Sequence, residues 1–92
     1  MKVNFFAMFR PIVGGKTVEV DFVEGSTLQQ LLQALIARFP ALGAELFDAD
    51  GHVRGHVHVF INGRDSVYLA DQLEIKVKAE DVINIFPPVG GG

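Results

Sequence analysis

Cysteine is missing from the 92-residue chain. Its absence excludes a disulfide framework, a thiol nucleophile, a cysteine-based zinc site and a cysteine-ligated iron–sulfur cluster. Long apolar runs are missing too: no stretch approaches the roughly 18 residues of a membrane span, and the start lacks a signal-peptide pattern. Clustered positive charge is a third absence. The net charge is −3, and without a Lys/Arg run there is no electrostatic footprint for nucleic acid. The chain is therefore expected in the cytoplasm, with neither a membrane nor a nucleic acid as partner. Internal repeats and low-complexity linkers are lacking as well. What is present is 49% hydrophobic, enough for one small domain to bury a core without staples.

The periodicity changes along the chain. "KVNFFAMF" is rich in strand formers, and one alternation puts Val3, Phe5, Ala7 and Phe9 on one face. After a Gly14-Gly15 turn, "KTVEVDFV" alternates with Val18, Val20 and Phe22 inward. Two strands across a glycine turn read as a hairpin. "STLQQLLQALIARFP" then switches to helical spacing, with Leu28, Leu31, Leu32, Leu35, Ile36 and Phe39 in one stripe. Ser26 or Thr27 followed three residues later by glutamine is a capping-box signal, and Pro40 ends the helix. A short helical turn is expected over Leu42 to Phe47 and a turn at Asp50-Gly51. "HVHVFING" is a strand with Val57, Val59 and Ile61 inward, turning at Asn62-Gly63 into a short partner. "ADQLEIKVKAE" is irregular, and "DVINIF" closes the sequence as a strand with Ile83 and Ile85 inward.

This order, β-β-α-β-β-β with one amphipathic helix, predicts an α+β domain in two layers, because one helix covers one face of a sheet. A β-grasp (ubiquitin-like) arrangement fits it: a mixed sheet, the first and last strands parallel in its middle, over residues 1–88, followed by a flexible tail over 89–92. Fixing the inward residues fixes the outward ones. These are Lys2, Asn4, Phe6 and Met8 on the first strand, His56, His58, Phe60 and Asn62 on the middle one, and Asn84 and Phe86 on the last. A contiguous aromatic patch on an uncovered sheet face marks a partner surface.

The segment "FPPVGGG", Phe86 to Gly92, departs from ordinary strand chemistry. Pro87 and Pro88 lack amide hydrogens and cannot continue a central ladder, and they favour an extended exit. Val89, Gly90, Gly91 and Gly92 have almost no side chain to pack down. Extended, Pro88 to Gly92 spans about 15 Å at ~3.3 Å per residue. Such a strip fits a channel too narrow for side chains, which points to the Gly92 carboxylate as the working group.

At these residues the sequence resembles the MoaD/ThiS family of ubiquitin-like sulfur carriers, over nearly the whole chain. "VNFFAMFR" is similar to the family's opening strand, "STLQQLLQAL" to its helix, "VHVFING" to its third strand, and "DVINIFPPVGGG" to its terminal signature. Gly90 stands where other small residues are usual, and "LEIKVKAED" replaces a loop that more often holds proline and glycine. The resemblance implies that a ubiquitin-activating-like enzyme, using ATP and magnesium, adenylates Gly92. A sulfur donor of the cysteine desulfurase or rhodanese-like kind then converts it to a thiocarboxylate. The acceptor would be a protein such as the large subunit of molybdopterin synthase, this chain being the small subunit. Cysteine, thiamine or tRNA thiolation are other destinations. Pro88, Val89, Gly90, Gly91, Phe86, Phe60, Phe6 and Met8 would meet the partners. The chemistry is consistent with the composition: a carboxylate with an ordinary pKa near ~3.5 is a poor electrophile until activated, and without cysteine no side chain offers sulfur a covalent seat. Adenylation serves equally a protein modifier joined through Gly92 to target lysines. A bare binding module with an incidental tail is a third reading.

Other constellations carry less. Of His52, His56 and His58, the last two share a strand face, but no third ligand stands at fixed spacing from them. "DADG" at Asp48 to Gly51 echoes the start of a calcium loop without its remaining ligands, so a turn is expected. Gly14-Gly15 has no following helix start and is no phosphate loop. Without a paired acid and base, the chain is expected to serve as a co-substrate and to bind no metal or cofactor itself.

Overall fold

A computed structural model describes residues 1–21, 23–54, 57–66 and 72–87. Its elements are β1 (Lys2–Phe5), α1 (Phe9–Val13), β2 (Thr17–Glu19), α2 (Leu28–Arg38), α3 (Leu42–Leu46), β3 (His58–Ile61), β4 (Arg64–Asp65), a 3-10 turn (Gln72–Glu74) and β5 (Ile83–Phe86). The five strands form one sheet in the order β2-β1-β5-β3-β4. β1 and β5 run parallel at its centre, with Val3 opposite Ile83 and Phe5 opposite Ile85. The other pairings, β1–β2, β3–β5 and β3–β4, are antiparallel. This is the β-grasp architecture that the order of periods predicts.

One face of the sheet is sealed by α2. Val3, Phe5, Val18, Val59, Ile61, Ile83 and Ile85 from the strands meet Leu28, Leu31, Leu32 and Leu35 of the helix, all buried. Among the described residues no polar or charged side chain is buried with them. The helix begins as its sequence dictates. The Thr27 hydroxyl accepts from the Gln30 backbone N–H at 3.1 Å, and the Gln30 side chain accepts from the Thr27 N–H at 2.9 Å, a reciprocal capping box. The irregular segment after the 3-10 turn clasps this same end: Leu28 N–H donates to the Ile75 carbonyl at 2.7 Å and Val77 N–H to Ser26 at 2.9 Å.

The first connection differs from expectation. Alternation extends β1 to Phe9, whereas the strand stops at Phe5 and Ala7 turns outward with a φ of 51°. Residues Phe9–Val13 wind into α1, where Pro11 is tolerated because first-turn N–H groups have no helical partner. Phe9 is still buried, carried inward by helical geometry and not by strand parity. Gly14, with φ 80°, is the left-handed cap of α1, its N–H donating to the Arg10 carbonyl. The hairpin is real, but a helical turn fills its loop. Asn62 likewise leaves the outward face: with φ 52° it starts the turn with Gly63. Its side chain donates to Asp81 and accepts from the Val82 N–H, each at 2.9 Å, tying the β3–β4 turn to the start of β5.

Candidate partner face and tail root

The uncovered face is ordered by strand register. Thr17 lies opposite Asn4, Asn4 opposite Asn84, Asn84 opposite Phe60 and Phe60 opposite Asp65, one row across all five strands. Its β2–β1–β5 half is a polar ladder. The Thr17 hydroxyl donates to the Asn4 amide oxygen at 2.8 Å, and the Asn4 amide donates to Asn84 at 2.9 Å. These side chains thus hydrogen-bond to one another across three strands.

The neighbouring row is different. His58 lies opposite Phe86, and Phe6, just past β1, stacks on Phe86 with centroids 4.1 Å apart and planes 11° from parallel. Phe60 meets Phe86 edge-on at 5.3 Å. The three rings are half-buried. The Arg10 guanidinium lies 5.3 Å from the centroid of Phe6 while its Nε–H donates to the Phe5 carbonyl at 2.9 Å, a cation–π contact whose position is fixed by a backbone bond. At the other end His58 Nδ1 lies 2.6 Å from the Asp65 carboxylate, with the His58 side chain 48% exposed and that of Asp65 10%. Because β1 and β5 are parallel, Phe6 and Phe86 end at the same edge of the sheet. The chain leaves β5 there through Pro87, which is buried.

The structure thus brings together Phe6, Phe60 and Phe86 of the sites read from sequence. Met8 is exposed, at 50%, but sits at the start of α1 and not on the strand. Pro88, Val89, Gly90, Gly91 and Gly92 lie outside the described residues, as do His56 and Phe22. Sequence reasoning missed Arg10 and the pairing of His58 with Asp65. The second was readable in principle: a two-residue Asn62-Gly63 turn places Ile61 opposite Arg64 and Phe60 opposite Asp65, making Asp65 the diagonal neighbour of His58 on one face.

Ligand atoms of Asp48, Asp50 and His52 fall within 4.8 Å of one another. The Asp48 carboxylate accepts backbone N–H bonds from Asp50 at 2.9 Å and His52 at 3.0 Å, which is the chemistry of a turn. These bonds hold its pKa below the ordinary value, the bond from His52 having the largest effect. No helix among the described residues is long and apolar enough to cross a membrane.

Comparison with known proteins gives this geometry a context. The sequence profile of the ThiS family matches residues 3–92. Small archaeal modifier protein 3 of Haloferax volcanii is 36% identical over 92 residues, covering 100% of this chain and 98% of the other. The crystal structure of small archaeal modifier protein 1 from the same organism is 34% identical, with a TM-score of 0.84 over 99% of this chain and 97% of that one. A protein of Archaeoglobus fulgidus described as a sulfur carrier is 34% identical over 76 residues, 82% of this chain and 83% of its own length. The chain belongs to the ThiS family. Its class is accordingly that of the MoaD/ThiS-type ubiquitin-like proteins, which spans sulfur carriers and small modifiers.

Proposed function

We propose that the chain is a sulfur carrier whose Gly92 carboxylate is adenylated by a ubiquitin-activating-like enzyme and then converted to a thiocarboxylate. One observation carries this reading: the Phe6–Phe86–Phe60 cluster stands at the edge of the sheet where β5 gives way to the Pro-Pro-Val-Gly-Gly-Gly segment. A partner docked on the rings would receive that segment into its own active site. ATP and magnesium belong to that partner. Adenylation makes the carboxylate a mixed anhydride. In the cytoplasm the terminal sulfur of a persulfide donor attacks it and releases AMP. A thiol then cleaves the resulting acyl disulfide, leaving the thiocarboxylate on Gly92 and a disulfide on the donor. The Phe-Pro-Pro exit favours the molybdopterin precursor as acceptor, with this chain as the small subunit of its synthase.

The experiment is intact-mass analysis after incubation with the adenylating enzyme of the same genome, ATP and a sulfur donor. Wild type gains the mass of one oxygen-to-sulfur exchange on Gly92. Deleting Gly92 moves the terminal carbonyl by about 3.5 Å, and a misplacement of ~1 Å can cost ~100-fold in rate; extending the chain places that carbon inside an amide. Both variants stay unmodified. Thiolation of the extended chain, or none of the wild type, ends the proposal. The modifier names of the Haloferax relatives favour a second reading, conjugation through Gly92 to lysines of targets. Remnants of this tail on other proteins' lysines would support it; a free thiocarboxylate supports the carrier.

A further inference from the structure

We infer that His58, oriented by Asp65, determines which adenylating enzyme the aromatic face accepts, and that this enzyme offers a lysine or arginine to its Nε2. The inference rests on the docking of such an enzyme proposed above. Three clustered rings supply apolar area, but apolar contact discriminates weakly between partners of similar shape. A polar atom behaves differently. If a partner covers it without supplying a hydrogen bond, the whole loss of hydration counts against that partner.

His58 is placed to act in this way. It lies opposite Phe86 in the β3–β5 register, and its ring centroid is 6.3 Å from that of Phe60. A surface that covers Phe60 and Phe86 therefore also covers His58, which is 48% exposed in the free chain. A carboxylate only accepts hydrogen bonds, so Nδ1 carries the proton in the 2.6 Å contact with Asp65. In the neutral ring this leaves the lone pair on Nε2, an acceptor. Asp65 reaches His58 across the Asn62-Gly63 turn, and that turn is tied to the start of β5 because the Asn62 side chain donates to Asp81 and accepts from the Val82 N–H. The acceptor is thus held in place before any partner arrives.

Charge selects the kind of donor. With a neutral ring the His58–Asp65 pair carries one negative charge at the β4 edge of the cluster, while Arg10 brings a positive charge over Phe6 at the other end. A cationic donor satisfies Nε2 and offsets the Asp65 charge together; a neutral donor does only the first. Opposite polarity at the two ends also sets the direction in which a partner lies across the rings, the usual contribution of interfacial charge.

Calorimetric titration of the full chain against the ubiquitin-activating-like enzyme of the same genome, at pH 8, tests the inference. His58→Phe enlarges the aromatic patch, so if area alone mattered it would bind as well as wild type or better. The expected result is a loss of tenfold or more in affinity, and a several-fold loss for Asp65→Asn. The double variant should be no weaker than His58→Phe, because Asp65 acts through His58; a purely structural role would add the two losses. Wild-type affinity should also fall more steeply with added salt than that of His58→Phe. Thermal unfolding checks each fold, and His58→Ala gives the same reading if the phenylalanine perturbs packing. Undiminished binding by the folded His58 variants overturns the inference, and an affinity loss with unchanged salt dependence overturns the cationic donor. Phe60→Asp separates the two levels. If it weakens binding and His58→Phe does not, only the inference fails. If it binds like wild type, or wild type does not bind, the docking reading fails as well.

Discussion

The two faces of the sheet are made from alternate residues of the same strands, yet they are organised by different forces. On the covered face Val3, Phe5, Ile83 and Ile85 are fully buried under α2, with no polar side chain among them in the described residues. On the bare face Asn4 and Asn84 hydrogen-bond to one another while Phe6, Phe60 and Phe86 pack ring against ring and stay half-buried. The covered face needs only the right size and period, since burial is non-directional. On the function proposed above, the bare face stands in water when alone and loses more water on docking. Packing ring against ring suits both states: the rings shield part of their area in the free state and keep the remainder for a partner.

If that division is correct, the largest effect on stability belongs to the covered face. Leu32, fully buried on α2 against the sheet, should cost roughly 2–5 kcal/mol on replacement by alanine, the usual range for a core leucine. Denaturant titration measures it directly. For a small domain that is a large share of the whole stability. Binding per folded molecule should be unchanged. A shift within experimental noise would show that α2 does not seal this face as described.

The bare face should respond the other way. Phe86→Asp and Phe60→Asp are each expected to weaken binding to the adenylating partner by about 1.5–3 kcal/mol, the value of burying one such ring. Their costs in stability should differ. Phe86 loses contacts with both Phe6 and Phe60, each aromatic pair contributing about 0.5–1.5 kcal/mol, whereas Phe60 loses only one of those ring pairs and its tilted contact with His58. Phe86→Asp should therefore have the lower melting temperature. Unfolding of either variant at room temperature would place its ring in the core and erase the distinction between the faces.

These contrasts explain what could be read from the sequence. Period 2 in β2, β3 and β5 and period 3.6 in α2 are unambiguous because each element buries one side. Past Phe5 the same reasoning failed. Phe6, Ala7, Met8 and Phe9 continue an alternating pattern, but Ala7 adopts a positive φ and Phe9 reaches the core from a helix, which periodicity cannot tell from a longer strand. Phe6 was assigned to the correct face, though it lies beyond the strand whose parity assigned it. The contacts of Arg10 are less accessible still, since they depend on side chains meeting in three dimensions, while the His58–Asp65 pair follows from the geometry of the Asn62-Gly63 turn and not from a period.

A smaller effect should appear where the covering helix begins. Thr27→Ala removes the hydroxyl that accepts from Gln30 and should cost about 1 kcal/mol. For a domain of this length that lowers the melting temperature by roughly 4–8 °C. The bare face is on the opposite side of the sheet, so binding should not change. A variant with altered binding and unaltered melting would mean that the two faces are coupled through the α2 terminus.

The smallest effect serves as a control that touches neither face. Asp48, in the turn after α3, accepts backbone N–H bonds from His52 and Asp50. The bond from His52 is the main reason its pKa is lowered, with the nearby charges of His52 and Arg54 acting in the same sense and partial desolvation opposing them. A carboxyl group with a folded pKa below its unfolded one contributes stability that is present above the unfolded value, near ~3.9. That stability is lost as pH falls through the folded pKa. Asp48→Asn keeps an oxygen acceptor for the turn and removes only the charge. Melting temperatures of wild type and variant should therefore differ slightly at pH 7, with wild type the higher, and converge as the solution is acidified below about pH 4. Binding to the adenylating enzyme should be the same for both. A gap that widens in acid would reverse the sign and show that the Asp48 charge opposes the fold. A constant gap would show that asparagine disturbs the turn itself, so that the difference is one of shape and not of charge.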